Sequence, residues 1–368
     1  MRDVFLYGSL GSARVLEQLF GPVRTEAATL GGYETLALKN SVFPVANPSE
    51  GGALDGVLLH DLSPAQADRL AFVLDVAGAA PVPCEVETAE GRTLTAKTAV
   101  LPRAAERAAA EPGAVDWNRL TEAAIGEILS YHGWRAPEAV RAVLMMIMAR
   151  AAAHVAAAHG TAADYRSKTP HEAVEVAQME TPHQGFFLTR SYELRHPRFD
   201  GRMSPPLRRE VFVATDASIV LPYDPRRDRV LLVEQFRMGP FGRGDAYPWM
   251  LEPVAGRVDA GETPETTAHR ECQEEAGLAL YGLEKVSAHY CSPGDSTEYF
   301  HVFIGLCDLP EVSQGRGGLE TEHEDIRTHI LSYEQAMGLL DSGEAEAGPL
   351  VLALLWLAKS RDRLRATA

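Results

Sequence analysis

Three glutamates in the C-terminal half have the spacing that most clearly indicates chemistry. Glu271, Glu274 and Glu275 stand at positions i, i+3 and i+4, so on a helix all three carboxylates would project from one face. Carboxylates this close together repel one another unless a cation lies between them. Because the cluster contains neither His nor Cys, it favours Mg²⁺, with Mn²⁺ as an alternative, over zinc.

The residues around the cluster predict the element that carries it. Pro264 suits the first turn of a helix and Gly277 suits a helix end, so we expect one helix over residues 264–276. Arg270 could pair with Glu262 in the preceding loop, which would give these two residues a mainly structural role. An acidic helix face alone is most often a solvated surface, so the helix by itself does not decide the function.

The whole segment resembles the Nudix box, G-x5-E-x7-R-E-U-x-E-E-x-G-U, in which U is an apolar residue. The matching residues are Gly256, Glu262, Arg270, Glu271, Glu274, Glu275, Gly277 and Leu278. Cys272 stands at the first U position, where an aliphatic residue is usual, and Cys is small and apolar enough to fit there. The resemblance implies an α/β/α sandwich with a mixed sheet, and attack by water on a nucleoside diphosphate linked to another group.

Outside the box the resemblance narrows to bacterial ADP-ribose pyrophosphatases and extends from about Phe186 to Lys359. The supporting stretches are RREVF at 208–212, VEQFR at 233–237, PWMLEPVAG at 248–256, SPG at 292–294 and EHEDI at 322–326. This resemblance implies Mg²⁺-dependent hydrolysis of ADP-ribose to AMP and ribose 5-phosphate. Two alternatives stay open: another nucleotide sugar such as GDP-mannose or ADP-glucose, and a sensor that binds ADP-ribose without cutting it.

Several residues outside the helix are candidates for binding the substrate. Phe186 and Phe187 could sandwich an adenine, although paired Phe residues are as often part of a core. Arg237, at a strand end, could bind the diphosphate through two N–H groups of its guanidinium. In the resembled family an Arg-Glu pair reaches into the partner's site, which implies a homodimer with shared sites. The residues that the resemblance assigns to the substrate in this way are Arg209 and Glu210 for that pair, with Ser292, Gly294 and Glu298, the last near the terminal ribose.

The resemblance also implies the metal ligands and the general base. It assigns Glu271, Glu275 and the backbone carbonyl of Ala255 to the metal, and counts Glu274 with the catalytic residues. In the resembled family the base lies on a loop beyond the box, and the matching stretch is 317–325. Glu322 is assigned as the base and Glu324 as a further metal ligand, in an order that could be reversed. Gly256, Glu262, Arg270 and Gly277 are assigned structural roles within the box.

Composition and charge limit the class of protein. With 46% apolar and 23% charged residues, the chain of 368 residues is typical of a soluble globular protein of two domains. The net charge of −16 disfavours nucleic acid as a partner. Four scattered cysteines without a C-x-x-C spacing suit reduced thiols. The first apolar run is too short for a signal peptide, and the most apolar window, 139–157, contains charged residues, so we expect a cytoplasmic protein without a membrane span.

The order of elements predicts three parts. We expect a β-rich domain over 1–105, a helical connector and linker over 106–183, and the Nudix domain over 184–368. In the first part we expect strands at 4–7, 56–60, 84–88 and 94–101. Between Trp117 and His159 we expect two helices that stop at Gly133 and Gly160, with a polar linker at 161–184. The strands expected in the last part are 211–221, 229–236, 284–290 and 299–307.

The N-terminal stretch Tyr7-Gly8-Ser9-Leu10 is similar to the Y-G-S-L signature of γ-glutamylcyclotransferase-like domains. Enzymes of that family use a Glu as acid and base, but the aligned position here is Leu74, beside Asp75. Because leucine cannot transfer protons, we favour a structural or ligand-sensing module over an active cyclotransferase. The two-part arrangement resembles fused proteins called tellurite-resistance-associated ADP-ribose pyrophosphatases, but no residue here suggests how tellurite would bind.

Overall fold

The computed structural model describes residues 3–100, 109–110, 115–161, 163–312, 315, 317 and 325–367. Contacts divide the chain into two compact units, the first comprising Met1–Thr215 with Asp259–Glu262 and the second Asp216–Val258 with Thr263–Ala368. The four cysteines are free thiols. Among the described helices, none has both the length and the apolar character that crossing a membrane requires.

A closed five-stranded barrel begins the first unit. Its strands follow the order β1-β3-β2-β4-β5, and β1 runs parallel to β5. Their bounds are β1 (Asp3–Tyr7), β2 (Thr25–Leu36), β3 (Val45–His60), β4 (Ala80–Thr88) and β5 (Thr93–Val100). Two helices that the sequence analysis did not identify, α1 (Ala13–Phe20) and α2 (Pro64–Ala77), contribute leucine and phenylalanine side chains to the core shared with the barrel.

Three helices follow the barrel, where the sequence analysis predicted two. They are α3 (Trp117–Leu129), α4 (Pro137–Arg141) and α5 (Leu144–Ala157). The second predicted helix is interrupted at Ala142 and Val143, and Val143 has φ −112° and ψ 13°, outside the helical range. Neither residue is a glycine or a proline, so the local sequence carries no signal for this interruption.

A three-stranded antiparallel sheet ends the first unit. Its strands, in sequence and spatial order, are β6 (Glu175–Gln184), β7 (Leu188–Arg195) and β8 (Leu207–Val213). The prediction of a linker at 161–184 was therefore wrong over 175–184. Strand β6 is exposed along almost its whole length, so it lacks the apolar alternation that would have identified it, and its backbone pairs with β7.

The second unit contains a seven-stranded mixed sheet. The central order is β11-β10-β9-β14-β13, with β12 paired to β9 and β15 paired to β10, and only β14 and β9 are parallel. The strands are β9 (Asp216–Asp224), β10 (Arg229–Phe236), β11 (Trp249–Glu252), β12 (Val254–Arg257), β13 (Gly282–Tyr290), β14 (Tyr299–Leu306) and β15 (Arg327–Ser332). The single strand predicted at 211–221 was wrong, because β8 ends at Val213 and β9 begins at Asp216 in a different sheet.

Helices cover both faces of this sheet. The helices of the unit are α6 (Met238–Arg243), α7 (Pro264–Ala276), α8 (Tyr333–Ser342) and α9 (Gly348–Ala366). Alternate residues of β9 enter two separate cores: Ile219 packs with Leu354 of α9, and Val220 packs with Ala268 and Cys272 of α7. The expected sandwich of helices, mixed sheet and helices is confirmed, and so is the β-rich region before it.

Candidate active site

Helix α7 carries the glutamate cluster, and both of its ends are fixed. At the start, Thr263 Oγ1 accepts a hydrogen bond from Thr266 N at 3.2 Å, and Ser218 of β9 donates to the Pro264 carbonyl at 2.9 Å. At the end, Gly277 has φ 63°, a left-handed conformation that favours glycine, and Leu278 N donates to the Cys272 carbonyl at 3.0 Å. The predicted bounds of this helix, 264–276, are those observed.

Cys272 anchors an adjacent face of the helix in the core. It is fully buried, and burial raises the pKa of its thiol, an effect to which the neighbouring Cys307 and Glu275 add. A thiol held in its neutral form is a packing residue rather than a metal ligand. The burial of Cys272 therefore supports the apolar packing role expected for this position.

Strand β12 brings the backbone of Ala255 and Gly256 against two of the glutamates. A Cβ atom at Gly256 would lie 1.8 Å from Glu271 Oε1, so this approach requires glycine. Ala255 N donates to Glu275 Oε2 at 3.4 Å, and Glu275 is only 3% exposed. The structure thus brings together four of the predicted residues, two as carboxylates and two through their backbone.

Arg270 lies among the carboxylates of the helix. Its Nη1 atom donates to Glu271 Oε1 at 2.7 Å and to Glu274 Oε2 at 3.0 Å, and its Nη2 atom donates to the Arg257 carbonyl at 3.2 Å. Glu262 belongs to the first unit, where it accepts a hydrogen bond from Lys39 Nζ at 2.8 Å. The pairing of Arg270 with Glu262 stays a prediction.

The donor set around Gly256 fits a hard cation in its chemistry. Glu271, Glu275 and the Ala255 carbonyl offer only oxygen atoms, which Mg²⁺ and Mn²⁺ prefer. Within the described residues, no group of three or more His, Cys, Asp or Glu side chains has the arrangement of a metal site. Two further acids predicted for this site, Glu322 and Glu324, lie outside the described residues. The described part therefore supplies a partial set of ligands.

Gly317, which precedes those two acids in the sequence, lies beside the end of helix α7. Gly317 approaches the helix so closely that a Cβ atom there would lie 1.7 Å from the Glu275 carbonyl oxygen. Gly317 N also donates to the Ile326 carbonyl at 3.0 Å.

A cavity of about 360 Å³ lies beside strand β10. Its lining includes Glu234 and Trp249 of the sheet with Gly315, Asp325, Ile326 and Arg327. Glu234 accepts hydrogen bonds from Arg327 and His329. Burial alone would raise the pKa of Glu234, but these hydrogen bonds outweigh it, so the pKa is lowered and the acid stays ionised. The sequence analysis assigned no role to Glu234, although it lies in the VEQFR stretch.

Arg237 directly follows strand β10. Its Nε atom donates to Glu252 Oε2 at 2.7 Å, whereas its Nη atoms make no hydrogen bond to any residue in the described ranges. Two nitrogen atoms thus remain for an anion while the paired Nε fixes the side chain.

The loop between β13 and β14 carries three other candidates. Ser292 and Gly294 are exposed, and Glu298 accepts a hydrogen bond from Cys291 Sγ at 3.0 Å. Burial, together with Glu298, raises the pKa of the Cys291 thiol to about 11. Across the described residues, no hydrogen bond joins Ser292, Gly294 or Glu298 to the glutamates of α7.

The remaining candidates belong to the first unit. The rings of Phe186 and Phe187 are 5.1 Å apart and nearly perpendicular, and the two residues are 56% and 50% exposed. As they stand, the rings do not form two parallel faces. Arg209 and Glu210 are exposed on β8, one of the two edge strands of the three-stranded sheet.

Comparison with known proteins places the second unit in a family. The NUDIX domain matches residues 214–354. The ADP-ribose pyrophosphatase of Escherichia coli (strain K12) is 40% identical over 192 residues, which is 52% of this chain and 91% of the relative. The chain belongs to the Nudix hydrolase family.

Two other relatives of this Nudix hydrolase differ in their named substrates. The ADP-ribose pyrophosphatase of Haemophilus influenzae is 37% identical over 186 residues, covering 50% of this chain and 85% of the relative. The GDP-mannose pyrophosphatase of Escherichia coli O1:K1 / APEC is 32% identical over 153 residues, covering 42% of this chain and 78% of the relative. Each of these relatives aligns with about half of the Nudix chain or less.

The N-terminal motif of the Nudix chain is built into the barrel. Tyr7 Oη donates to the Ala99 carbonyl at 3.0 Å and accepts from Ala46 N at 2.7 Å. Burial raises the pKa of Tyr7 to about 12, although the hydrogen bond from Ala46 opposes this. Ser9 Oγ hydrogen-bonds Thr121 Oγ1 at 2.7 Å, and Leu74 is 3% exposed. The resemblance of this part to γ-glutamylcyclotransferase-like domains stays a prediction, as do the three domain boundaries.

Proposed function

We propose that this Nudix hydrolase cleaves the diphosphate of ADP-ribose in a Mg²⁺-dependent reaction that gives AMP and ribose 5-phosphate. The observation that carries this proposal is the packing of Glu271 and Glu275 against Ala255 and Gly256, which gathers oxygen ligands at one point of the sheet. The choice of ADP-ribose rests on relatives of that name at 40% and 37% identity, against 32% for the GDP-mannose enzyme.

Glu271, Glu275 and the Ala255 carbonyl are the groups that we propose to hold Mg²⁺, with Glu324 as a further ligand. When bound there, Mg²⁺ neutralises the diphosphate oxygens and lowers the pKa of a bound water. Glu274 stays with Arg270, whose contacts with Glu271 and the Arg257 carbonyl hold the carboxylates in place.

Glu322 acts as the general base in this proposal. It accepts a proton from the attacking water, whose oxygen bonds to one phosphorus of the diphosphate as the bridging P–O bond breaks. The bridging oxygen leaves with the other phosphorus, so both products are phosphate monoesters. Gly317, which precedes Glu322 in the sequence, lies close to the Glu275 carbonyl, and this position supports the role.

Substrate binding uses side chains from more than one part of the chain. The Nη atoms of Arg237 contact the diphosphate while Nε stays paired with Glu252. In a homodimer, Arg209 and Glu210 reach into the partner's site, and one of the rings of Phe186 and Phe187 stacks on the adenine. Ser292, Gly294 and Glu298 contact the terminal ribose side.

A panel of ADP-ribose, GDP-mannose and ADP-glucose tests the proposal. With Mg²⁺, the full chain should give AMP and ribose 5-phosphate from ADP-ribose with the highest kcat/KM of the three, and EDTA should abolish this activity. Glu275→Gln should lower kcat by at least about a hundredfold, because a charge-stabilising group at the reacting centre is lost. Glu265→Gln is the matched control, since Glu265 is an exposed acid on the same helix and should leave turnover unchanged.

Each alternative predicts a different result in the same assay. A higher kcat/KM for GDP-mannose or ADP-glucose would transfer the proposal to that nucleotide sugar. Calorimetric binding of ADP-ribose with no AMP formed would identify a sensor. Full activity of Glu275→Gln would overturn the metal assignment.

A further inference from the structure

A cavity in the first unit collects positive charge in a chain that is strongly negative overall. Its volume is about 340 Å³, near the lower end of the roughly 300–1,000 Å³ typical of small-molecule sites. Helices α1, α3 and α5 form one side, and strands β6 and β7 form the other. The net charge of the whole chain is −16, so a local excess of arginine stands out.

The two acids of the cavity are already paired with other arginines. Glu122 accepts from Arg14 at 3.2 Å. Glu127 forms an ion pair with Arg150 at 2.5 Å, in which both side chains are almost fully buried. Neither carboxylate is therefore available to neutralise a further cation in the cavity.

Two other arginines line the cavity, Arg119 and Arg190. Throughout the described residues, neither guanidinium forms an ion pair or a hydrogen bond. Both line the same cavity as His154, whose pKa is lowered mainly by burial and then by Arg190 and Arg119. Because both acids of the cavity are paired, the two guanidiniums are its unmatched charges, and such a pair is suited to a phosphate group.

The rest of the lining indicates what the phosphate would be attached to. Gln18 Oε1 is buried and accepts no hydrogen bond from any described residue, so a hydroxyl group of a ligand could supply the missing donor. Ala123, Gly126, Met179 and Leu188 add an apolar surface against which a carbon skeleton can pack.

We propose that this cavity, held between Arg119 and Arg190, is a binding site for a phosphate monoester that carries hydroxyl groups and has the size of a sugar phosphate. A dianionic monoester matches the two unpaired guanidiniums, whereas a carboxylate would match only one. The site lies outside the Nudix box and does not depend on the reaction proposed above.

Calorimetric titration of the full chain in EDTA, which removes divalent metal, tests the site. Ribose 5-phosphate is the probe, and ribose, orthophosphate and gluconate are the comparison ligands. We expect saturable binding of ribose 5-phosphate below about 1 mM and weaker binding of all three others. Arg119→Gln combined with Arg190→Gln should weaken the affinity by at least about tenfold, because charge-assisted hydrogen bonds are lost. The matched control, Arg24→Gln combined with Arg69→Gln, removes two exposed arginines outside the cavity and should bind as the wild type does.

The outcomes that would overturn the proposal are separate. They are no binding by the wild type, equal affinity of the double variant, and equal or tighter binding of gluconate or orthophosphate. If the double variant unfolds, Arg119→Gln alone serves, because Arg119 is exposed and its loss should still weaken binding several-fold.

Discussion

Helices α2 and α7 begin and end in almost the same way. Ser63 and Thr263 cap their first turns, and each is followed by a proline. Gly78 and Gly277 end them in the left-handed conformation, with φ 70° and 63°. The local signals that define a helix are therefore shared by a helix of the first unit and the helix that carries the glutamates.

The two helices differ in where they place an acid. Asp75 and Glu275 each lie eleven residues after the proline of their helix, but Asp75 is exposed and Glu275 is 3% exposed. Helix α2 buries Leu74 beside Asp75, as a core helix should. Burial of a carboxylate costs free energy unless it is paired. A helix that only packs in a core therefore does not require a buried carboxylate. A buried acid packed against the glycine of a neighbouring strand is thus a better indication of chemistry than the residues that begin and end the helix.

Gly256→Ala is the change with the largest expected effect on this comparison. The new Cβ atom would lie 1.8 Å from Glu271 Oε1, so the carboxylate must move. A displacement of about 1 Å at a reacting centre can cost roughly a hundredfold in rate. We expect kcat for ADP-ribose to fall by that order, measured beside the unfolding midpoint to show that the protein stays folded.

Gly338→Ala provides the control for that substitution. Gly338 lies in helix α8 with no atom within 4 Å of the added Cβ, so turnover should be unchanged. Equal turnover of Gly256→Ala and Gly338→Ala would mean that Glu271 does not act where the structure places it. Helix α7 would then have no more claim to a catalytic role than helix α2.

Tyr7→Phe sharpens the comparison from the other unit. It removes a buried hydroxyl that donates to the Ala99 carbonyl and accepts from Ala46 N. Leaving those partners unsatisfied should cost roughly 1–3 kcal/mol, measured as a shift of the denaturant unfolding of the first unit. Turnover of ADP-ribose should not change. A loss of turnover with unchanged unfolding would show that the N-terminal motif contributes chemistry rather than stability.

Local signals allowed parts of the fold to be predicted to the residue. The bounds 229–236 for β10 and 264–276 for α7 are those observed, because β10 contains a short apolar run and α7 is flanked by a capping residue and a glycine. Helix α1 was missed because only eight residues form it. Strand β6 was missed because it is exposed and polar. Its structure comes from pairing with β7, which no local pattern encodes.

The candidate site divides in the same way. The shared face of Glu271, Glu274 and Glu275 follows from helical spacing alone. Partners distant in the sequence do not follow from spacing. Glu262 accepts a hydrogen bond from Lys39, which is 223 residues away, and Glu234 is paired with Arg327 on the neighbouring strand β15. Sequence spacing identifies which acids share a surface, whereas the choice of cation for each acid depends on tertiary contacts.

Removal of the two helix caps should have the smallest effect and compares the helices most directly. Ser63→Ala and Thr263→Ala should each cost about 1 kcal/mol of stability, since each hydroxyl accepts a backbone N–H of the first turn. Only Thr263→Ala should also lower kcat, by a few-fold, because the first turn of α7 sets the position of the glutamates behind it. Ser63→Thr and Thr263→Ser should restore both properties, as measured by unfolding and by steady-state rates on ADP-ribose. Equal kinetic effects of the two alanine variants would show that the cap of α7 matters no more for turnover than the cap of α2.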